Sequence, residues 1–96
     1  MTAYVIAEVD VKDAEAYKLY ADRAPGVTIP AGGKYLARAG KVEALEGTPP
    51  KSRVVIIEFE NSQAARDFYY GKAYQDIIPL RQAASEGRLF LVEGAA

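Results

Sequence analysis

Four stretches of the chain carry apolar side chains in strand-like alternation, and the stretches between them carry apolar residues at helical spacing. Residues 2–9 place Tyr4 and Ile6 on one face and Val5, Ala7 and Val9 on the other, the pattern of a strand covered on both sides. From Val11 to Ala21, Ala14, Tyr17 and Ala21 recur at helical spacing behind acidic residues in the first turn; Asp10 is the predicted N-cap and Pro25-Gly26 the predicted stop. Pro30 and Gly32-Gly33 mark a mobile connection, and Gly33 is read as a flexible entrance to whatever cleft follows. Residues 34–39 read as a strand that continues over 41–45 beyond a bulge or bend at Gly40. A Gly47-Thr48-Pro49-Pro50 turn then returns the chain into the strand Arg53–Phe59.

Asn61 or Ser62 caps a second helix whose apolar stripe is Ala64, Ala65 and Phe68, with Gly71 ending or kinking it. Residues 72–78 and 80–84 are also helical in pattern, and Pro79 suits the first turn of a new helix better than a helix interior. Gly87 leads into a last strand, 88–93. The order βαββαβ is the ferredoxin-like split βαβ unit of the α+β class. The expected sheet has four strands of antiparallel-type mixed pairing, with the first and third strands parallel at its centre. One face takes the helices. The other presents Tyr4, Ile6, Val54 and Ile56 with nothing left to cover them, a patch that a monomer seldom tolerates, and a second copy is the obvious cover.

Composition narrows the chemistry. Ninety-six residues, half of them apolar, make one domain spanning 1–96, and so small a domain gains from pairing with another subunit. Twelve basic and thirteen acidic residues leave a net charge of -1 without a basic run, which argues against nucleic acid. No stretch approaches a membrane span or a leader, so the expected location is cytoplasmic. Histidine and cysteine are both absent. Imidazole bases, thiolate nucleophiles and Cys/His metal or haem sites are therefore excluded, and neither a metal nor a cofactor is expected. Any acid or base must be Glu, Asp, Tyr or Lys.

A set of short motifs in fixed order, Gly32-Gly33-Lys34-Tyr35-Leu36-Ala37-Arg38, Leu45-Glu46-Gly47, Ile57-Glu58-Phe59, Phe68-Tyr69-Tyr70, Ala73-Tyr74-Gln75, Arg81 and Val92-Glu93-Gly94, resembles domain-of-unknown-function family 1330 over nearly the whole chain. The resemblance implies a ferredoxin-like protomer that pairs through its sheet faces into a dimeric α/β barrel. The wider superfamily includes cofactor-free monooxygenases and lactone isomerases. No reaction is implied for the family itself, because related barrels host unrelated chemistry.

The candidate chemistry starts from two glutamates in apolar strands. By alternation Glu8 shares the face of Tyr4 and Ile6, and Glu58 that of Val54 and Ile56. Parallel neighbours would bring the two carboxylates together, where one could serve as a general acid or base with Arg38 holding an anionic or carbonyl oxygen. The catalytic candidates are thus Glu8, Glu58 and Arg38. A structural reading stands beside it: Glu58 and Arg38 form a register-setting ion pair while Glu8 lies at a solvated strand end. Tyr35, Tyr74 and Arg81, each in a family-like motif, are the ligand-binding candidates. The expected function is a homodimer that binds a small polar or aromatic metabolite in a cleft, with cofactor-independent proton-transfer, oxygenase or isomerase chemistry. The alternative is a non-catalytic structural or ligand-binding dimer.

Overall fold

The computed structural model describes residues 1–95. Its elements run β1 (Ala3–Val11), α1 (Ala14–Thr28), β2 (Lys34–Arg38), β3 (Arg53–Phe59), α2 (Ser62–Tyr70), α3 (Lys72–Ala84) and β4 (Ser85–Glu93). The fold is ferredoxin-like with two helices in its second crossover, βαββααβ. The sheet order is β2-β3-β1-β4, and all three pairings are antiparallel. The expected parallel pairing of the first and third strands is therefore corrected. A crossover that brings β2 back parallel to β1 leaves between them a slot that only the antiparallel return strand β3 fills.

Helices and sheet form a slab 16 Å thick, with every helix on one side. The core lies there, where Val5 and Ile57 meet Phe59, Phe68 and Tyr74. Phe59 is 1% exposed, and its ring lies 5.1 Å from that of Phe68, which in turn lies 4.6 Å from Tyr74.

Several boundaries differ from the sequence reading, each for a local reason. Asp13, not Asp10, caps α1 by accepting from the Ala16 amide at 3.0 Å. Asp10 belongs to β1 and receives the Ser52 amide at 3.1 Å and Lys51 Nζ at 3.2 Å. Pro25 does not stop α1, which continues to Thr28. A proline has no N–H for the carbonyl four residues back, and that freed oxygen, Ala21 O, accepts from Arg38 Nη2 at 2.7 Å. Pro79 likewise lies inside α3. The irregularity of β2 falls between Tyr35 and Ala37, with Ala39 rather than Gly40 in the left-handed region (φ 60°), and residues 41–45 form no strand. Gly33 is a packing position. A Cβ there would meet Thr28 Cγ2 at 2.6 Å and Ile57 Cγ2 at 3.0 Å, so it joins α1 to the sheet tightly.

Candidate functional site

Antiparallel pairing decides which candidates meet. On the side away from the helices, Glu8 lies opposite Val54, and Glu58 lies opposite Tyr4. Four residues of strand separate the two carboxylates, roughly 13 Å at the usual rise, so the expected glutamate pair does not form within a protomer. Glu8 is instead bound by Arg88, directly across from it on β4, which donates through Nη2 at 2.8 Å and Nε at 3.2 Å. Both donors converge on Oε2, and Oε1 accepts from the Lys51 amide at 3.4 Å, a charge-assisted contact. The Glu8 side chain is only 12% exposed, whereas that of Arg88 is 69% exposed, so one partner is held in the sheet and the other reaches to it from water. Glu58 has Lys34 as its neighbour on β2. Neither the expected cluster nor the expected Glu58–Arg38 ion pair is present: Arg38 lies opposite Val55 and turns to the helix side, where it binds α1.

That helix side holds a different constellation. A cavity of about 30 Å³ lies between the sheet and helices α1 and α3. Tyr35, Tyr74 and Arg81 all line it, together with Arg38, Arg53, Tyr17 and Tyr20. The three predicted ligand-binding residues are thus brought together, and the catalytic candidate Arg38 joins them while Glu8 and Glu58 stay on the far face. Among the described residues, no carboxylate lines this space.

Each arginine arrives from a different element. Arg53 opens β3 in register with Val9 and lies over the Tyr17 ring at 5.1 Å. Arg38 ends β2, stacks over Tyr35 at 5.1 Å and is anchored by the carbonyl that Pro25 frees. Arg81, in the last turn of α3, is 7% exposed. Among the described residues, the buried Nε atoms of Arg53 and Arg81 have no hydrogen-bond partner. Stacking on aromatic faces offsets part of the cost of burying a guanidinium, but an unpaired buried donor remains costly.

The tyrosines supply the polar remainder. Tyr20 of α1 and Tyr74 of α3 share a hydrogen bond of 2.7 Å between their hydroxyls, and Tyr35 donates to Thr28 Oγ1 at 3.1 Å. Burial pushes both the Tyr20 and Tyr74 phenols above the ordinary tyrosine value, with the Tyr74 hydroxyl adding to the rise at Tyr20. The Arg81 charge works against the rise at both. The cavity therefore contains neutral hydroxyl donors and cationic donors, and no group that would act as a base near neutral pH.

Sequence reasoning missed Arg88 and Arg53. Both carried a signal: Arg88 alternates with Phe90 and Val92, and Arg53 alternates with Val55, Ile57 and Phe59. An arginine in phase with a strand's apolar face is a candidate partner for whatever that face encloses. A second, more open groove of about 320 Å³ lies between α2 and β4, with Arg66, Tyr69 and Tyr70 on its rim. Its inner wall, Val5 and Leu89, also lines the smaller cavity.

Comparison with known proteins agrees with this architecture. The family model of the domain of unknown function DUF1330 matches residues 2–95. The chain belongs to the DUF1330 family. Among solved structures, this DUF1330 chain is similar to the RPA0582 protein of unknown function from Rhodopseudomonas palustris, with a TM-score of 0.78 and 23% identity over 99% of this chain and 83% of that one. It is similar to SnoaB, a cofactor-independent oxygenase from Streptomyces nogalater, with a TM-score of 0.70 and 10% identity over 99% and 94% of the two chains. An uncharacterized NIPSNAP domain protein from Burkholderia xenovorans matches with a TM-score of 0.60 and 14% identity over 100% and 96%. At these identities the likeness is one of fold, that of the dimeric α/β-barrel proteins. No functionally curated protein shows significant similarity to the sequence. Among the described residues, no helix is long and apolar enough to cross a membrane.

Proposed function

We propose that this DUF1330 protein is a homodimer joined through the bare faces of its sheets, and that each protomer binds a small polar or aromatic metabolite between the sheet and helices α1 and α3. The observation that carries the ligand reading is Arg81: a guanidinium 7% exposed, with an unpartnered Nε, among tyrosine hydroxyls and without a carboxylate in its cavity. Arg81 interacts with the Tyr74 hydroxyl but has no counter-charge; a buried charge without one is costly, and a cavity that keeps it is suited to hold a ligand. The dimer reading rests on the open face, where Phe90 and Val92 remain 38% and 42% exposed beside Ile6 and Ile56.

Chemistry in this cavity would be cofactor-independent: an acidic carbon of the substrate would lose its proton to water, and the lining, which holds no neutral-pH base, would stabilise the resulting enolate with its hydrogen-bond donors. That arrangement suits isomerase- or oxygenase-type steps on an acidic carbon, and SnoaB, of the same fold, is a cofactor-independent oxygenase. A non-catalytic ligand-binding dimer is the second reading, favoured by the small size of the cavity, about 30 Å³. In the dimer, Glu8 with its partner Arg88, and Glu58, would be enclosed between the two sheets, away from Arg38, Arg53 and Arg81.

Native mass spectrometry of gently purified protein tests both parts. The expected spectrum is a dimer, with an additional small-molecule mass on the fraction that keeps its ligand. A monomer at micromolar concentration would overturn the barrel. Turnover by the dimer of a substrate with an acidic carbon, abolished in Arg81→Gln, would decide for the enzyme.

A further inference from the structure

The cavity under α1 can be read for the charge of what it takes. Three guanidiniums reach its lining from β2, β3 and α3, and no Asp or Glu among the described residues faces it. None of the three forms a salt bridge within the described residues. Arg38 has a carbonyl partner, but Arg53 and Arg81 each leave a buried Nε–H unsatisfied. Elsewhere the chain has acids to spare, thirteen against twelve basic residues, and on the opposite face of the sheet it pairs Arg88 with Glu8. The missing carboxylate is thus a property of this cavity and not of the composition.

Size and walls narrow the class further. About 30 Å³ holds two waters at most, which is also the room that the three heavy atoms of a carboxylate (O–C–O) or enolate (C=C–O) head would take. The surroundings are aromatic: Tyr17, Tyr20, Tyr74 and Phe68, with the larger α2/β4 groove behind Val5 and Leu89. We propose that the ligand is a planar oxyanion, a carboxylate or enolate carried on an aromatic or conjugated body, whose oxygens take the free Nε–H donors of Arg81 and Arg53; this rests on the reading of the cavity as a ligand site. The body is accommodated by separation of the Tyr20 and Tyr74 hydroxyls, the polar link between α1 and α3.

The test is to titrate the intact protein with benzoate, 4-nitrophenolate and the neutral isostere benzamide, following the arginine Nε–H resonances by NMR. The expected result is that an anion moves the Arg81 and Arg53 Nε–H signals downfield and binds at least roughly tenfold tighter than benzamide, about 1.4 kcal/mol. Preference for benzoate over 4-nitrophenolate assigns the carboxylate, and the reverse assigns the enolate type. Arg81→Gln removes the discrimination. The wild-type resonances carry the result even if that variant fails to fold. Benzamide moving the same signals with equal affinity would overturn the anionic class while leaving the ligand site standing. If none of the three probes perturbs the cavity arginines or tyrosines, both the class and the ligand-site reading fall.

Discussion

The two faces of the sheet treat their charged residues in opposite ways. On the open face Glu8 meets Arg88 in a charge-assisted bond, and Asp10 gathers Lys51 and Ser52; every charge in that group has an opposite or polar partner near water. On the helix face Arg38, Arg53 and Arg81 share one enclosed space with tyrosines and no acid. A charged pair at the surface of a sheet is explained by folding alone, and it contributes little. Of the three arginines, Arg38 is exposed and bonded to Ala21 O and Arg53 is half-buried, whereas Arg81 is buried without an acid, and a buried cation without a counter-charge is explained poorly by folding because it costs stability. The contrast supports the proposal that the open face serves assembly and the helix face binding.

The largest effects should separate the faces by their dependence on concentration. Phe59→Ala, which empties a site 1% exposed on the helix face, is expected to cost about 3–5 kcal/mol whatever the protein concentration. Ile56→Asp, on the open face between Ile6 and Ala37, is expected to give folded monomers. Sedimentation velocity combined with urea unfolding distinguishes the two, and a dimeric Ile56→Asp protein would break the assignment of that face.

A smaller effect sharpens the role of the glutamates. Glu8→Gln weakens the charge-assisted bond to Arg88, but Arg88 can return to solvent, so the expected loss in urea unfolding is about 1–2 kcal/mol. Glu58→Gln is expected to stay within about 0.5 kcal/mol, as for a surface change that removes no ion pair. Equal losses at both positions would restore a common role for the two carboxylates.

Titration separates the faces again. The Tyr20 and Tyr74 phenols are held neutral by burial, above the ordinary value of 10.0. Unfolded tyrosines ionise near that value, so this stability is complete below pH 10 and is lost as the pH rises beyond it. Absorbance at the phenolate band should show these two tyrosines ionising only with the alkaline unfolding transition. Asp10 behaves oppositely: the Ser52 amide, then Lys51, hold its carboxyl below 3.8. Its contribution is present above that value and fades as the pH falls through the lower folded value. Because Asp10 is exposed to solvent, Asp10→Asn should flatten the acid limb of stability only slightly, as measured by thermal melts from pH 5 to pH 2.

Much of this architecture was legible in the alternation of Val5, Ala7 and Val9 against Tyr4, Ile6 and Glu8, since a period of two assigns faces without knowledge of partners. The same alternation correctly put Glu8 and Glu58 on the bare face. Their separation was not legible, because it depends on strand direction, and only the crossover fixes that. The limits of α1 are less legible, because Pro25 reads locally as a stop. Pro25 sits inside α1 because Arg38, thirteen residues further along the chain, supplies a donor to the carbonyl that proline leaves free, a tertiary contact that no local pattern records. The grouping of Tyr35, Tyr74 and Arg81 was reached through motif resemblance. Arg53 is legible from phase alone, since it alternates with Val55, Ile57 and Phe59.

The most direct test of the central claim, that the helix-side arginines are kept for binding at the expense of stability, is the equilibrium unfolding of Arg81→Met in urea. Methionine fills similar length without charge, so relief of a buried cation that lacks a counter-charge predicts a variant at least as stable as the parent. A loss of about 3 kcal/mol or more would mean that Arg81 already has a structural partner, and the binding account of the cavity would be contradicted.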